Sequence, residues 1–180
     1  TVSAIVLAAG EGTRMRSARP KPLHLICGRP MVMHVIHAIE HVQPERTVVV
    51  VGHGAERVTK KVQEQAPDWA NVTFMEQNVQ RGTGDAAMVG LGALPGAALD
   101  DTSTVVVLPG DAPLLQSHTV EALIDAHESN EYAATLVTSE LDDPTGYGRI
   151  VRAPAKRGEA RLLRIVEQRD ASLEEQAIKE

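Results

Sequence analysis

Five short runs along the chain are apolar at nearly every position rather than at alternate ones: residues 4–8, 47–51, 72–75, 104–108 and 133–138. Runs of this length and texture predict parallel strands covered on both faces. Between them the apolar positions recur at helical spacing. Residues 30–41 carry Val32, Val35, Ile36 and Ile39 in that rhythm, with Pro30 near the start. Residues 55–66, 83–94 and 117–129 repeat the pattern, and Ser117 stands in an N-cap position ahead of Val120, Leu123 and Ile124. Strands alternating with helices predict right-handed crossovers and an α/β fold. The expected architecture is a Rossmann-like open, mostly parallel sheet with helices on both faces. The texture changes near residue 140. Residues 142–149 read DDPTGYGR, a turn-rich segment; residues 148–152 and 161–167 predict two further strands, and residues 172–180 the beginning of a helix.

Composition narrows the function classes. A chain of 180 residues is about one domain long and needs no disulfide staples. The net charge of −6 argues against a general nucleic-acid binder, and the four aromatic residues, Trp69, Phe74, Tyr132 and Tyr147, are too few for a base-stacking platform. Cys27 is the only cysteine, which excludes disulfide scaffolds and CxxC metal clusters and fits a reducing cytoplasm. No apolar run approaches 18 residues, so no membrane span is expected. The apolar stretch Ala4–Ala9 has no basic residue ahead of it and reads as a strand rather than a signal sequence.

The charge is unevenly spread. Residues 10–30 hold Arg14, Arg16, Arg19, Lys21 and Arg29 against Glu11 alone. This basic loop follows the first strand, at the edge where open α/β sheets bind ligands. It opens Gly10-Glu11-Gly12-Thr13-Arg14. Glycines let the main chain approach a ligand and aim N–H groups at phosphate oxygens, although a lone GxG also serves a plain tight turn. The segment fits neither GxGxxG, since Met15 takes the third glycine position, nor GxxxxGK[ST]. Its cations come after the glycines, and Lys21 is held between Pro20 and Pro22. A forked arginine and a constrained lysine suit a triphosphate. Asp111, in Pro109-Gly110-Asp111, follows the strand at 104–108 and faces the same crevice; Mg²⁺ takes such a carboxylate with phosphate oxygens, and a turn aspartate equally caps its own backbone. Gln77 offers a donor and an acceptor to a pyrimidine edge, or is plain surface. His34, His37 and His41 share a helical spacing, but no HExxH or carboxylate pattern accompanies them, and they read as helix residues.

The segment LAAGEGTRMRSARPKPLHLICGRPM, residues 7–31, resembles the signature of the sugar-1-phosphate nucleotidyltransferases. EQNVQRGTGDA, PGDAPLL, DDPTGYGRI and IVEQRDA follow in the order of one branch: the uridylyltransferase domain of the bifunctional N-acetylglucosamine-1-phosphate uridylyltransferase/glucosamine-1-phosphate acetyltransferases. The resemblance runs from about Val2 to the last residue. It implies transfer of uridylyl from UTP to N-acetylglucosamine 1-phosphate with Mg²⁺ as cofactor, for cell-envelope precursors, in the cytoplasm. It implies Arg14 and Lys21 as catalytic cations and Leu7, Ala8, Ala9, Gly10, Gln77, Gly82 and Thr83 as nucleotide contacts. Gly110, Gly148 and Glu167 become sugar contacts, and Asp111 the metal ligand. Thr83 also stands where it could cap the next helix. A lone glutamate such as Glu167 is otherwise solvated surface. A related enzyme using CTP or dTTP, or a non-catalytic nucleotide-binding fragment, is the alternative.

Three positions depart from the branch. Pro22 replaces a common Val, Pro109 a Tyr of some relatives, and Asp85 a common His. The resemblance also implies an incomplete domain: a nucleotide-binding half over about 1–139 and the start of a sugar-binding half over 140–180. The rest of such a protein, with a left-handed β-helix that makes the parent a homotrimer, is expected to lie beyond. On that reading the fragment alone turns over little.

Overall fold

The computed structural model describes residues 1–12, 15–96, 102–130, 132–153 and 161–180. The chain divides into two compact units, Thr1–Ala133 and Ala134–Glu180.

The first unit is built on a four-stranded sheet of β1 (Val2–Ala8), β4 (Arg46–Val51), β5 (Val72–Glu76) and β6 (Thr104–Pro109). The order across the sheet is β5-β4-β1-β6, and every pairing is parallel. Four of the five predicted strands are these. The fifth, over residues 133–138, does not form: Leu136 and Val137 are exposed, and no ladder pairing reaches them. Apolar texture makes a strand only where a neighbouring strand completes a ladder, and among the described residues no ladder includes these.

The alternation of side chains along β1 divides the core. Ala4, Val6 and Ala8 pack with Val49 and Val51 into one cluster, which takes in α1 (Met31–His37), α2 (Ala55–Gln65) and α4 (Ser117–Ser129) through Val32, Val35, Ile36, Val58, Val62, Val120 and Ile124. Ile5 and Ala9, with Val48 and Val50, face the other way and meet α3 (Thr83–Gly92) through Ala86. Helices thus cover both faces, as the unbroken apolar strands require.

Two caps differ from expectation. Ser117 is the first helical residue of α4 and Gln116 takes the N-cap, with no side-chain cap bond. Gly82, not Thr83, is the N-cap of α3. A feature the pattern did not suggest is a small hairpin, β2 (Leu25–Ile26) with β3 (Arg29–Pro30). Cys27 and Gly28 turn it, both with positive φ, 49° and 80°. This is the loop length and handedness that match strand twist.

The second unit holds an antiparallel hairpin, β7 (Arg149–Arg152) with β8 (Leu162–Val166), and a short helix α5 (Leu173–Gln176). Ser172 and Glu175 close α5 with a reciprocal capping box. Arg149 is buried and ties the unit together: its guanidinium donates to Tyr147 O, to Gln168 Oε1 at 2.7 Å and to Gln176 O at 3.5 Å.

Candidate active site

Because β1, β4, β5 and β6 run parallel, their carboxyl ends open on one edge of the sheet. Winding proceeds from β1 outward to β4 and β5, then returns to β6 on the far side of β1. A crevice at this switch point is where open α/β sheets bind ligands. A cavity of about 360 Å³ lies there.

Its lining comes from three strand ends with the loops that follow them, and from the start of α3 with Ala86. The first, the end of β1 and its loop, supplies Leu7, Ala8, Ala9, Gly10, Gly12 and Met15, and returns through a 3-10 turn, Lys21–Leu23, to bring in Lys21 and Pro22. The backbone folds on itself at Gly12, whose φ is 64° and whose absent Cβ would stand 2.6 Å from Lys21 Cβ. Only glycine reconciles that conformation with that approach. The second loop, between β5 and α3, supplies Gln77, Gln80, Gly82 and Thr83. Gln80 Nε2 donates to Ala9 O at 2.9 Å, which ties this loop to the first. The third, the end of β6 and its loop, supplies Pro109, Gly110 and Asp111. Gly110 N donates to Leu7 O at 2.8 Å, and a Cβ on Gly110 would meet that same oxygen at 2.6 Å. The close approach extends the β1–β6 ladder by one step and sets Asp111 beside the first loop.

There Asp111 Oδ2 forms an ion pair with Lys21 Nζ. Both side chains keep part of their surface in solvent, 29% for Lys21 and 41% for Asp111. Gln77 is the opposite case. It is 5% exposed, and its amide nitrogen donates to Asp85 Oδ2 at 2.7 Å and to Gly82 O at 3.3 Å.

Of the residues singled out in the sequence, Leu7, Ala8, Ala9, Gly10, Lys21, Gln77, Gly82, Thr83, Gly110 and Asp111 line this one cavity. Arg14 lies outside the described residues. Gly148 and Glu167 lie in the second unit, where they flank the Arg149–Val166 pair at one end of the β7–β8 hairpin. Gln80 and Met15 also line the cavity and were not anticipated. A polar side chain three positions after Gln77 was the available signal for Gln80. Among the described residues no group of three or more His, Cys, Asp or Glu is gathered as a metal cluster. No helix of the described residues is long and apolar enough to cross a membrane.

The model of the MobA-like NTP transferase domain matches residues 4–173. The chain belongs to that family. It is similar to the bifunctional protein GlmU of Thermobifida fusca, 46% identical over 98% of this chain and 35% of the relative. The chain therefore spans about a third of the length of the curated relatives it matches. Among solved structures it resembles the 4-diphosphocytidyl-2C-methyl-D-erythritol synthase of Anaerococcus prevotii, with a TM-score of 0.59, 18% identity, and coverage of 89% of this chain and 62% of that one. It also resembles the complex of Rv0371C with manganese from Mycobacterium tuberculosis, with a TM-score of 0.51 and 20% identity over 71% of this chain and 60% of that one. These structural likenesses are likenesses of fold, and they agree with the parallel α/β sheet described above.

Proposed function

We propose that this chain transfers uridylyl from UTP to N-acetylglucosamine 1-phosphate and releases pyrophosphate. The observation that carries the reading is the meeting, in one cavity, of the glycine loop after β1, the amide of Gln77 and the Lys21–Asp111 pair. The likeness to GlmU relatives over nearly the whole chain supports it.

An oxygen of the sugar phosphate attacks the α-phosphorus of UTP, and the bond from that phosphorus to the pyrophosphate oxygen breaks. The attacking oxygen is already ionised, so no general base is needed. Positioning and charge stabilisation then account for the catalysis. In this reading Lys21 and Arg14 neutralise phosphate oxygens. Leu7 to Gly10 carry the nucleotide along the first loop, Gln77, Gly82 and Thr83 hold the base, and Gly110, Gly148 and Glu167 meet the sugar.

A divalent cation fits the donor set. Mg²⁺ is usually held by one or two carboxylates, with phosphate oxygens and water completing its shell. Asp111, partly open to solvent and belonging to no gathered group of three or more His, Cys, Asp or Glu among the described residues, offers that arrangement and not a cage of protein ligands. Bound there, Mg²⁺ supplies charge neutralisation on the phosphates. The cytoplasm is the proposed setting, because both substrates are soluble anions.

The test is a pyrophosphate-release assay at high enzyme concentration with UTP, CTP and dTTP, each against several sugar 1-phosphates, with Mg²⁺ and with chelator. Release that requires Mg²⁺ and is fastest with UTP and N-acetylglucosamine 1-phosphate is expected. Faster release with another nucleotide would reassign the base, and release unaffected by chelator would remove the metal role of Asp111.

A further inference from the structure

The amide of Gln77 has one nitrogen end and one oxygen end, and which of them faces a ligand decides what it reads. Both of the protein groups at one end are acceptors: the carboxylate of Asp85, at 2.7 Å, and the carbonyl of Gly82, at 3.3 Å. An ionised carboxylate and a carbonyl have no proton to give, so only the NH₂ end of the amide can face them. The orientation therefore follows from chemistry and not from a choice between two similar atoms. The two N–H donors are used within the protein. Oε1 is left as the end of the amide available to a ligand, on a side chain that lines the cavity.

The base edge complementary to that oxygen is a donor. Uracil carries a hydrogen on N3 between its two carbonyls. Cytosine carries a lone pair at N3, which would face Oε1 as acceptor against acceptor. We infer that Asp85 is a positioning residue that turns the Gln77 amide oxygen-outward, and so makes the cavity select a pyrimidine with an N3–H against cytosine. The inference rests on the reading of this cavity as a pyrimidine nucleotide site.

The surroundings suit the role. Asp85 lies in the first turn of α3, where the unpaired N–H groups of the helix favour a carboxylate. Gln77 is fixed at its backbone as well, because its N–H donates to Val51 O at 2.8 Å. With its backbone held by β4 and its amide by α3, the side chain has little freedom to present its other end. The same oxygen would accept from thymine N3–H, so this device separates uracil and thymine from cytosine but not from each other.

The test measures dissociation constants for UTP and CTP, with Mg²⁺ present, on the 180-residue chain and on Asp85→Asn and Asp85→Ala, with thermal melts as the check on folding. Asparagine can turn either an acceptor or a donor toward Gln77, so the amide is free to flip. The unsubstituted chain is expected to prefer UTP. Asp85→Asn should cut that preference about tenfold, the scale of one misdirected hydrogen bond. The same substitution in a Gln77→Ala background should leave the ratio unchanged, because Asp85 acts through the amide. A general structural defect would weaken both nucleotides alike and leave the ratio where it was. A UTP preference retained in both Asp85 variants would overturn the role of Asp85 while leaving the uridylyl reading intact. No UTP preference in the unsubstituted chain would overturn both.

Discussion

Gly90 is the point where α3 rests on the sheet, and an alanine there sets two known effects against each other. A Cβ at Gly90 would stand 2.6 Å from Ile5 Cγ2, 3.0 Å from Val50 Cγ2 and 3.2 Å from Ile5 Cδ1. Ile5 and Val50 are fully buried on the two central strands, and both are β-branched, so neither has another rotamer ready. Carbon pairs are most favourable near 3.5–4.0 Å, so the helix must lift or the strands must shift. Overpacking of this kind costs about 1–3 kcal/mol, while replacing glycine by alanine inside a helix returns about 0.5–1 kcal/mol. The expected net loss for Gly90→Ala is about 1 kcal/mol at the centres of these ranges and about 2.5 kcal/mol at most. Gly92 is the matched control, because a Cβ there has nothing within 4 Å; Gly92→Ala should be neutral or stabilising by about 0.5 kcal/mol. Urea unfolding of the three proteins measures both. Two alanines, two positions apart on one helix, should move the midpoint in opposite directions or leave only Gly90→Ala low. A Gly90→Ala midpoint equal to or above the unsubstituted chain would refute the packing argument.

Under the proposed function Lys21→Ala should lower the rate of pyrophosphate release about 10²–10³-fold, since on that reading it removes a charge that counts most in the transition state; single-turnover kinetics would read it, and an unchanged rate would take Lys21 out of the chemistry. His37 has its pKa lowered, first by burial and then by the charge of Arg29, and its ring meets Trp69 edge-on at 6.4 Å. Its folded pKa lies below the unfolded value of about 6.5, so stability is full above that pH and falls as pH drops from 6.5 toward the lowered value. Urea midpoints followed by the fluorescence of Trp69, the single tryptophan, should show this slope, and His37→Gln should flatten it. Glu180, held by Arg152 and Thr138, has its carboxyl pushed down to about 2. Its contribution is present above about pH 4.5 and lost as pH falls toward 2; an acid titration by circular dichroism of Glu180→Gln should lack that part of the slope.

How much of this was legible depends on whether the cause was local. The strands at β1, β4, β5 and β6 were legible because each is a nearly continuous apolar run, buried on both faces in the central β1 and β4 and only partly covered in the outer β5 and β6. The run at 133–138 has a similar texture but joins no ladder among the described residues, and pairing is a fact about neighbours that a single segment does not carry. Ser117 and Thr83 looked like caps by type, yet each sits one residue inside its helix, because the residue before it already has the cap role. The hairpin at Cys27-Gly28 was hidden because cysteine seldom takes positive φ and only Gly28 signalled a turn. In the site, the residue types and their order were readable, but the internal bonds were not. Nothing local to Gln77 says that its nitrogen end is engaged by Asp85, and nothing in either loop says that Lys21 and Asp111, ninety positions apart, are partners.

That distant pairing follows from the winding of the sheet. The chain leaves β1, builds β4 and β5 to one side, and comes back to place β6 on the other. The loops after β1 and β6 therefore become neighbours although most of the first unit separates them in sequence. The bond from Gly110 N to Leu7 O draws them to backbone distance, and the turn at Gly12 swings Lys21 back over the gap. A cation and a carboxylate from two distant loops thus meet at the cavity and neutralise one another. An ion pair this open to water is worth about 0–1 kcal/mol. Under the proposed function, opening it is a small cost, because a phosphate-bearing substrate with its divalent cation offers Lys21 a new anion and Asp111 a new cation. On that reading the pair holds two opposite charges in place before the substrate arrives, and it does so weakly enough to release them.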